Sequence, residues 1–218
     1  RSLAELAEAS DAVSVTVVPN GVDTQYYQPG ENGIGVEPAP LKLLIACRFQ
    51  RQKLVPETIR WLAKAKHQGI DLLVSIVGDG PECDAVKAVI KEVDMTEFIS
   101  LKGWLPKDQL LKQYQDADCF INFSSYEGMP NTVMEAMSCG LPVIVSDIAP
   151  HQEIIADMVS GFLIGLDCRN EFIRSLKKLD TDRRLVEKMG SAGRERSLQN
   201  HSWLLVGKRY LSLGLQNR

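Results

Sequence analysis

Seven short apolar runs, each four to seven residues long and most rich in Val, Ile and Leu, recur along the chain with helix-length segments between most of them. They are VSVTVV (13–18), KLLIAC (42–47), DLLVSIV (71–77), FISL (98–101), CFINF (119–123), LPVIVS (141–146) and GFLI (161–164). Most are continuous rather than alternating, which is the pattern of strands buried on both sheet faces. The intervening segments, at about 56–68, 81–93, 107–115, 131–138 and 150–156, carry helical spacing, and Pro56 and Pro81 stand where a first helical position is expected. Repeated strand–helix units demand a parallel sheet joined by right-handed crossovers, so the fold class is α/β with helices flanking the sheet. Beyond residue 168 only helical patterns remain, at about 170–179, 183–197 and 202–213.

Composition narrows the function. A net charge of -3 over 218 residues gives no reason to invoke nucleic acid or an anionic membrane surface as partner. The five cysteines are scattered, odd in number and never in a CxxC pair, which fits neither a disulfide framework nor a zinc site and points to a reduced, cytoplasmic setting. No apolar run reaches the roughly 18 residues that a spanning helix needs. The chain opens on Arg1 rather than Met, as expected of a piece of something longer.

Ligands of open α/β sheets gather beyond the carboxyl ends of the strands, so a useful residue should follow its strand. Arg48 leaves the run 42–47 directly, and Lys53 follows at the entry to the next helix. A guanidinium fork and an ammonium there could grip a diphosphate, and a basic loop left to solvent is the bland alternative. VGDGPE (77–82) is a glycine-rich turn in which Gly78 and Gly80 would let backbone approach a ligand. A dinucleotide fingerprint would need a further glycine where Cys83 stands, so a plain tight turn competes with that reading. After the run 98–101, Gly103 and Trp104 could read a base, although a tryptophan there is more often packing. Asp116 and Asp118 resemble a metal pair, but they precede the run 119–123 and so belong at the amino end, away from the site; no metal is expected.

The stretch SSYEGMPNTVMEAMSCGLPVIVSD (124–147) carries most of the chemistry. Gly128 permits a sharp turn, and the amides of Gly128, Met129, Asn131 and Thr132 open a helix whose positive end attracts anions. Yet Glu127 and Glu135, with seven residues between them, flank that anion site. Val133, Met134 and Met137 form the apolar stripe of the helix, which leaves Glu135 off the core face. A carboxylate in so apolar a setting needs a donor partner, and two vicinal ribose hydroxyls would serve. Glu127 could likewise accept hydroxyls of a sugar beyond the phosphates. A nucleotide sugar has that layout: ribose, diphosphate, hexose.

EGMPNTVMEAMSCGLPVI closely resembles the signature of the group 1 retaining glycosyltransferases, a family that includes glycogen synthase and many lipopolysaccharide and mannosyl transferases. VPNGVD (18–23), the Arg48/Lys53 pair, VGDGPE, DADCFINFSSYEG and HSW (201–203) are similar to further landmarks of that family, in its order. The resemblance implies the nucleotide-sugar-binding C-terminal half of a GT-B fold, a Rossmann-like domain over residues 1–218, with 1–12 and 200–218 as inter-domain helices. The N-terminal acceptor-binding half is expected to be absent, and with it activity. By the same likeness Arg48, Lys53 and Glu127 are catalytic, with the cations neutralising the departing diphosphate. Glu135, Gly128, Met129, Asn131, Thr132, Gly78, Gly103 and Trp104 are implied to bind the donor, without metal or other cofactor. The implied partners are a UDP-, GDP- or ADP-sugar and, through the other half, an acceptor glycan or lipid and a membrane periphery, in cytoplasmic polysaccharide or glycolipid synthesis. A non-catalytic nucleotide-sugar-binding module is the alternative. Two positions depart from the family pattern, which often has Gly before the Arg and after the Lys: here they are Cys47 and Leu54.

Overall fold

The computed structural model describes residue 18, residues 20–30 and residues 39–216. All but Val18 of the expected strand 13–18, and the expected helix over 1–12, lie outside the described residues, as does most of the loop 29–40. Within them, six strands form one wholly parallel sheet: β1 (Leu41–Ala46), β2 (Leu72–Val77), β3 (Ile99–Gly103), β4 (Cys119–Asn122), β5 (Val143–Ser146) and β6 (Gly161–Ile164). Their order across the sheet is β3-β2-β1-β4-β5-β6, the doubly wound Rossmann-like arrangement. The chain steps outward from β1 in one direction, returns, and continues from β4 in the other. The crevice of such a sheet opens between β1 and β4.

Helices follow the strands in turn: α1 (Val55–His67), α2 (Cys83–Glu92), α3 (Lys107–Asp116), α4 (Asn131–Ser138), α5 (Ala149–Ile154), α6 (Arg169–Thr181) and α7 (Arg183–Arg196). A π-helical turn, Ser197–His201, then leads to α8 (Trp203–Gln216). Pro56 lies in the first turn of α1 as expected, but Pro81 does not open α2, which begins two residues later after a turn.

Alternation along β1 explains why its sequence is apolar at every position but Lys42. Leu41, Leu43 and Ile45 face a cluster with Ile59 and Leu62 of α1 and Phe172 and Leu176 of α6. Leu44 and Ala46 face the opposite cluster with Tyr114 of α3 and Met134 and Met137 of α4. Each fully buried aliphatic side chain of this kind contributes roughly 1.5–3 kcal/mol of transfer free energy, and both faces must be filled for the strand to stay dry.

The amino end of the sheet is tied by charge. Asp118 accepts from the Lys42 amide at 2.8 Å and from Arg183 Nη1 at 3.0 Å. That carboxylate, half of the metal-like Asp pair, is thus a strand-end anchor on the side away from the crevice.

Candidate functional site

Beyond β1 the backbone stays extended and pairs with the turn after β2: Cys47 N donates to Val77 O at 3.1 Å, and Phe49 N to Asp79 O at 2.8 Å. This close approach is what the glycines of VGDGPE serve. At Gly78 (φ 140°) a Cβ would stand 1.9 Å from the Cys47 carbonyl oxygen, and at Gly80 it would stand 2.5 Å from that of Phe49. The Gly78 amide also donates to Gly103 O at 2.8 Å. The expectation that these glycines make room for a ligand is therefore corrected: the neighbouring loop takes the room. Gly103 is the reverse case, with φ 67° and nothing within 4 Å of where its Cβ would be. Trp104 beside it is 75% exposed, which removes the packing explanation for that ring.

Arg48 leaves β1 exposed and enters no ion pair among the described residues. Lys53 closes a short 3-10 turn, Arg51–Lys53, and crosses the β1/β4 crevice to ion-pair with Oε1 of Glu127. That oxygen also accepts from Ser124 Oγ at 2.8 Å, while Oε2 makes no hydrogen bond among the described residues. Ser124 is itself fixed to β5: its amide donates to Ser146 Oγ at 3.0 Å, and Ser146 Oγ donates to Ser124 O at 2.8 Å. Behind them His151 Nδ1 sits 2.7 Å from Ser146 O, with the ring wholly buried. Burial pushes the His151 pKa down, so the ring is neutral and its Nδ1 donates. The result is a carboxylate held from below by a serine, with one oxygen left for a ligand.

The two departures from the family pattern are structural. Cys47 packs against the α1 side of the core and its thiol is pushed up to about 12 by burial, so it is neither a nucleophile nor a phosphate ligand. Leu54 occupies a left-handed conformation (φ 46°, ψ 32°), the backbone for which glycine is preferred. Its half-buried side chain, packed on the same cluster, offsets that strain.

The helix opening at α4 is partly as expected. The amides of Gly128, Met129 and Thr132 make no hydrogen bond among the described residues, whereas that of Asn131 donates to Met129 O at 3.0 Å. Asn131 is thus corrected as a source of a free amide; its side chain instead accepts from Asn20 Nδ2 at 3.3 Å. Pro130 holds the N-cap slot with no side-chain cap, and the first turn of α4 carries no acid, so the helix end stays positive.

Glu135 lies on α4 one turn further in. Its Oε2 accepts from the Tyr114 hydroxyl at 2.9 Å, and the Tyr27 phenol lies close enough to influence its charge. Tyr114 is the one buried residue of α3. Tyr27 is delivered by a loop that α7 clamps to α4: Arg194 Nη1 donates to Tyr27 O at 2.7 Å and to Ser138 O at 2.6 Å. Burial raises the Glu135 pKa above its ordinary value, opposed by the two phenols and by Lys107. Sequence reasoning found the carboxylate and its need for donors but missed both tyrosines. They are 108 and 21 residues from Glu135, and a lone Tyr in a segment carries no signal of what it will face.

The functional groups therefore converge. Lys53 and Glu127 bridge the carboxyl ends of β1 and β4, the free amides of α4 lie beside them, and Glu135 stands beyond. The family model for group 1 glycosyl transferases matches residues 32–196. The chain belongs to that family.

Among curated relatives of this group 1 glycosyl transferase, alpha-maltose-1-phosphate synthase of Mycobacterium tuberculosis is 26% identical over 216 residues, covering 91% of this chain and 56% of the relative. The chain thus spans about half the length of the curated relatives it matches. Among solved structures, S. aureus TarM in complex with UDP and other ligands superposes with a TM-score of 0.85 at 21% identity, covering 96% of this chain and 41% of TarM. The C-terminal domain of a group 1 glycosyl transferase, LpcC of Francisella tularensis, gives a TM-score of 0.74 at 22% identity, covering 84% of this chain and all of that domain. These likenesses establish the GT-B-type Rossmann-like fold.

Proposed function

We propose that this chain is the donor-binding half of a retaining glycosyltransferase that moves a sugar from a nucleotide-diphosphate sugar to a glycan or lipid acceptor. The observation that carries the reading is the Lys53–Glu127 pair, lying across the β1/β4 crevice beside the unpaired amides at the start of α4. A diphosphate entering there meets the ammonium of Lys53, the exposed guanidinium of Arg48 and the amides of Gly128, Met129 and Thr132. As the sugar departs, the diphosphate gains charge, and donors already aimed at it stabilise that charge without reorganising. These groups do the work for which a metal would otherwise be needed, so the transfer is metal-independent. Glu127 Oε2 accepts hydroxyls of the donor sugar, Glu135 holds the ribose, and the backbone near Gly103 and Trp104 lies against the base.

Residues from a second half, which the longer relatives have room for, complete the centre and supply the main acceptor-binding surface, so the chain by itself is inactive. That half also brings the protein to the membrane periphery in cytoplasmic glycan synthesis. Among the described residues no helix is long and apolar enough to cross a membrane.

Calorimetric titration of the 218-residue chain with UDP, GDP and ADP tests the reading. One nucleotide binds, and Glu135→Ala weakens it about ten- to a hundredfold, the loss expected from hydrogen bonds to a charged group. Absence of binding by all three at millimolar concentration, here and in the full-length protein, would sink it.

A further inference from the structure

A second concavity lies on the other side of the sheet from Glu135. It has a volume of about 550 Å³, within the usual range of roughly 300–1,000 Å³ for ligand sites. Its walls are the first turns of α1, the end of β4 and the loop between β6 and α6. The floor is apolar: Leu54, Phe123 and Trp61, the last set edge-on to Phe123 with ring centroids 5.1 Å apart. The rim carries Glu57, Asp167 and Arg169, all exposed and none in an ion pair among the described residues.

The chemistry of this rim differs from that of the donor site. Two carboxylates against one guanidinium repel a diphosphate, so a nucleotide is the wrong occupant. A neutral sugar suits it. Each sugar hydroxyl is both donor and acceptor, and the rim supplies acceptor-only carboxylates beside the donor-only fork of Arg169. The half-buried Trp61, seated on the buried Phe123, offers electron-rich ring surface to the C–H groups of a pyranose.

Position adds the second argument. Leu54 follows Lys53 directly, and Ser125, also on the wall, is two residues before Glu127. Leu54, Trp61 and Phe123 belong to the core cluster on the α1 face, whereas Tyr114 and α4, which hold Glu135, belong to the opposite one. The Lys53–Glu127 pair therefore stands between a ribose-type carboxylate on one face of the sheet and this groove on the other.

We propose that the groove between α1 and the β6–α6 loop is a saccharide subsite and that it holds the sugar end of the acceptor; only the second half of that statement rests on the donor-site reading above.

The test is saturation-transfer NMR of the 218-residue chain with maltose, N-acetylglucosamine, mannose and galactose, each at up to about 50 mM, a range that detects weak millimolar dissociation constants. At least one saccharide gives a saturable signal. Asp167→Ala and Arg169→Ala each weaken it about fivefold or more, as expected for loss of a charge-assisted hydrogen bond. Both residues are exposed, so both variants keep the parent melting temperature and the parent nucleotide affinity; Asp167→Asn, which conserves shape, shows a smaller loss. No signal from any of the four sugars overturns the subsite, as does a signal unchanged by these variants. Saccharide binding in a chain that binds no nucleotide, alone or at full length, overturns the acceptor assignment and the donor reading together while the groove's saccharide chemistry survives.

Discussion

The Tyr114 hydroxyl donates to Glu135 Oε2 at 2.9 Å, and this one bond joins α3 to α4 across the apolar cluster beneath the carboxyl end of the sheet. Tyr114 is completely buried, packed against Phe120 and Tyr27. Tyr114→Phe keeps the ring and removes only the donor. It should cost roughly 1–2 kcal/mol of stability, seen as a melting point lower by about 3–6 °C. Nucleotide affinity should fall as well, because Glu135 then loses the hydrogen bond that orients it, and a melt and a titration on one sample check both.

The raised pKa of Glu135 has a definite sign. Between its unfolded value of 4.5 and the higher folded value, the unfolded chain has released the proton while the folded chain still holds it. Stability from this group is thus complete below 4.5 and is lost as pH rises through the folded pKa. Wild type should therefore lose ground against Glu135→Gln as pH increases across that window. Denaturant melts of both proteins at matched pH values measure the difference, and parallel curves would remove the burial argument.

Lys53 and Glu127 are both mostly buried, with 16% and 7% of their side chains exposed. Removing one partner strands a charge in the crevice, an effect of about 3–5 kcal/mol for well-buried pairs. Lys53→Met should be destabilising towards the lower end of that scale, and Lys53→Met with Glu127→Gln should recover most of the loss. A double-mutant cycle by urea unfolding reads the coupling, which should exceed about 1 kcal/mol. Independent, additive effects would show that the two side chains do not hold one another.

Two glycines with positive φ should respond very differently to alanine. At Gly78 the new methyl would collide with the Cys47 carbonyl, whereas at Gly103 it would enter open space. Gly78→Ala should lose about 3 kcal/mol or more, among the largest single-site effects. Gly103→Ala should lose only the conformational cost of an L-residue there, roughly 1–2 kcal/mol. Thermal melts of the two variants decide the order.

The strands, their parallel sense and the helices between them were legible in the sequence because burial on both faces forces an apolar residue at nearly every strand position. The limits of α4, Asn131–Ser138, agree with expectation because Pro130 and Gly140 punctuate the segment on either side. Lys53, Glu127 and Glu135 were legible because charge beside a helix N-terminus, or within an apolar stretch, needs an explanation that chain-local structure does not give.

What the sequence by itself determined was therefore a doubly covered parallel sheet and the types of group at its carboxyl edge. Tertiary structure alone decided which groups meet. Ser146 of β5 holds the serine that bonds Glu127, Tyr114 of α3 fastens Glu135, and the Cys47 carbonyl fills the space that Gly78 leaves. Each of these is a contact between residues far apart in the chain. Periodicity reports only which face a side chain occupies, and strand order and crossover geometry choose the neighbour that it finds there.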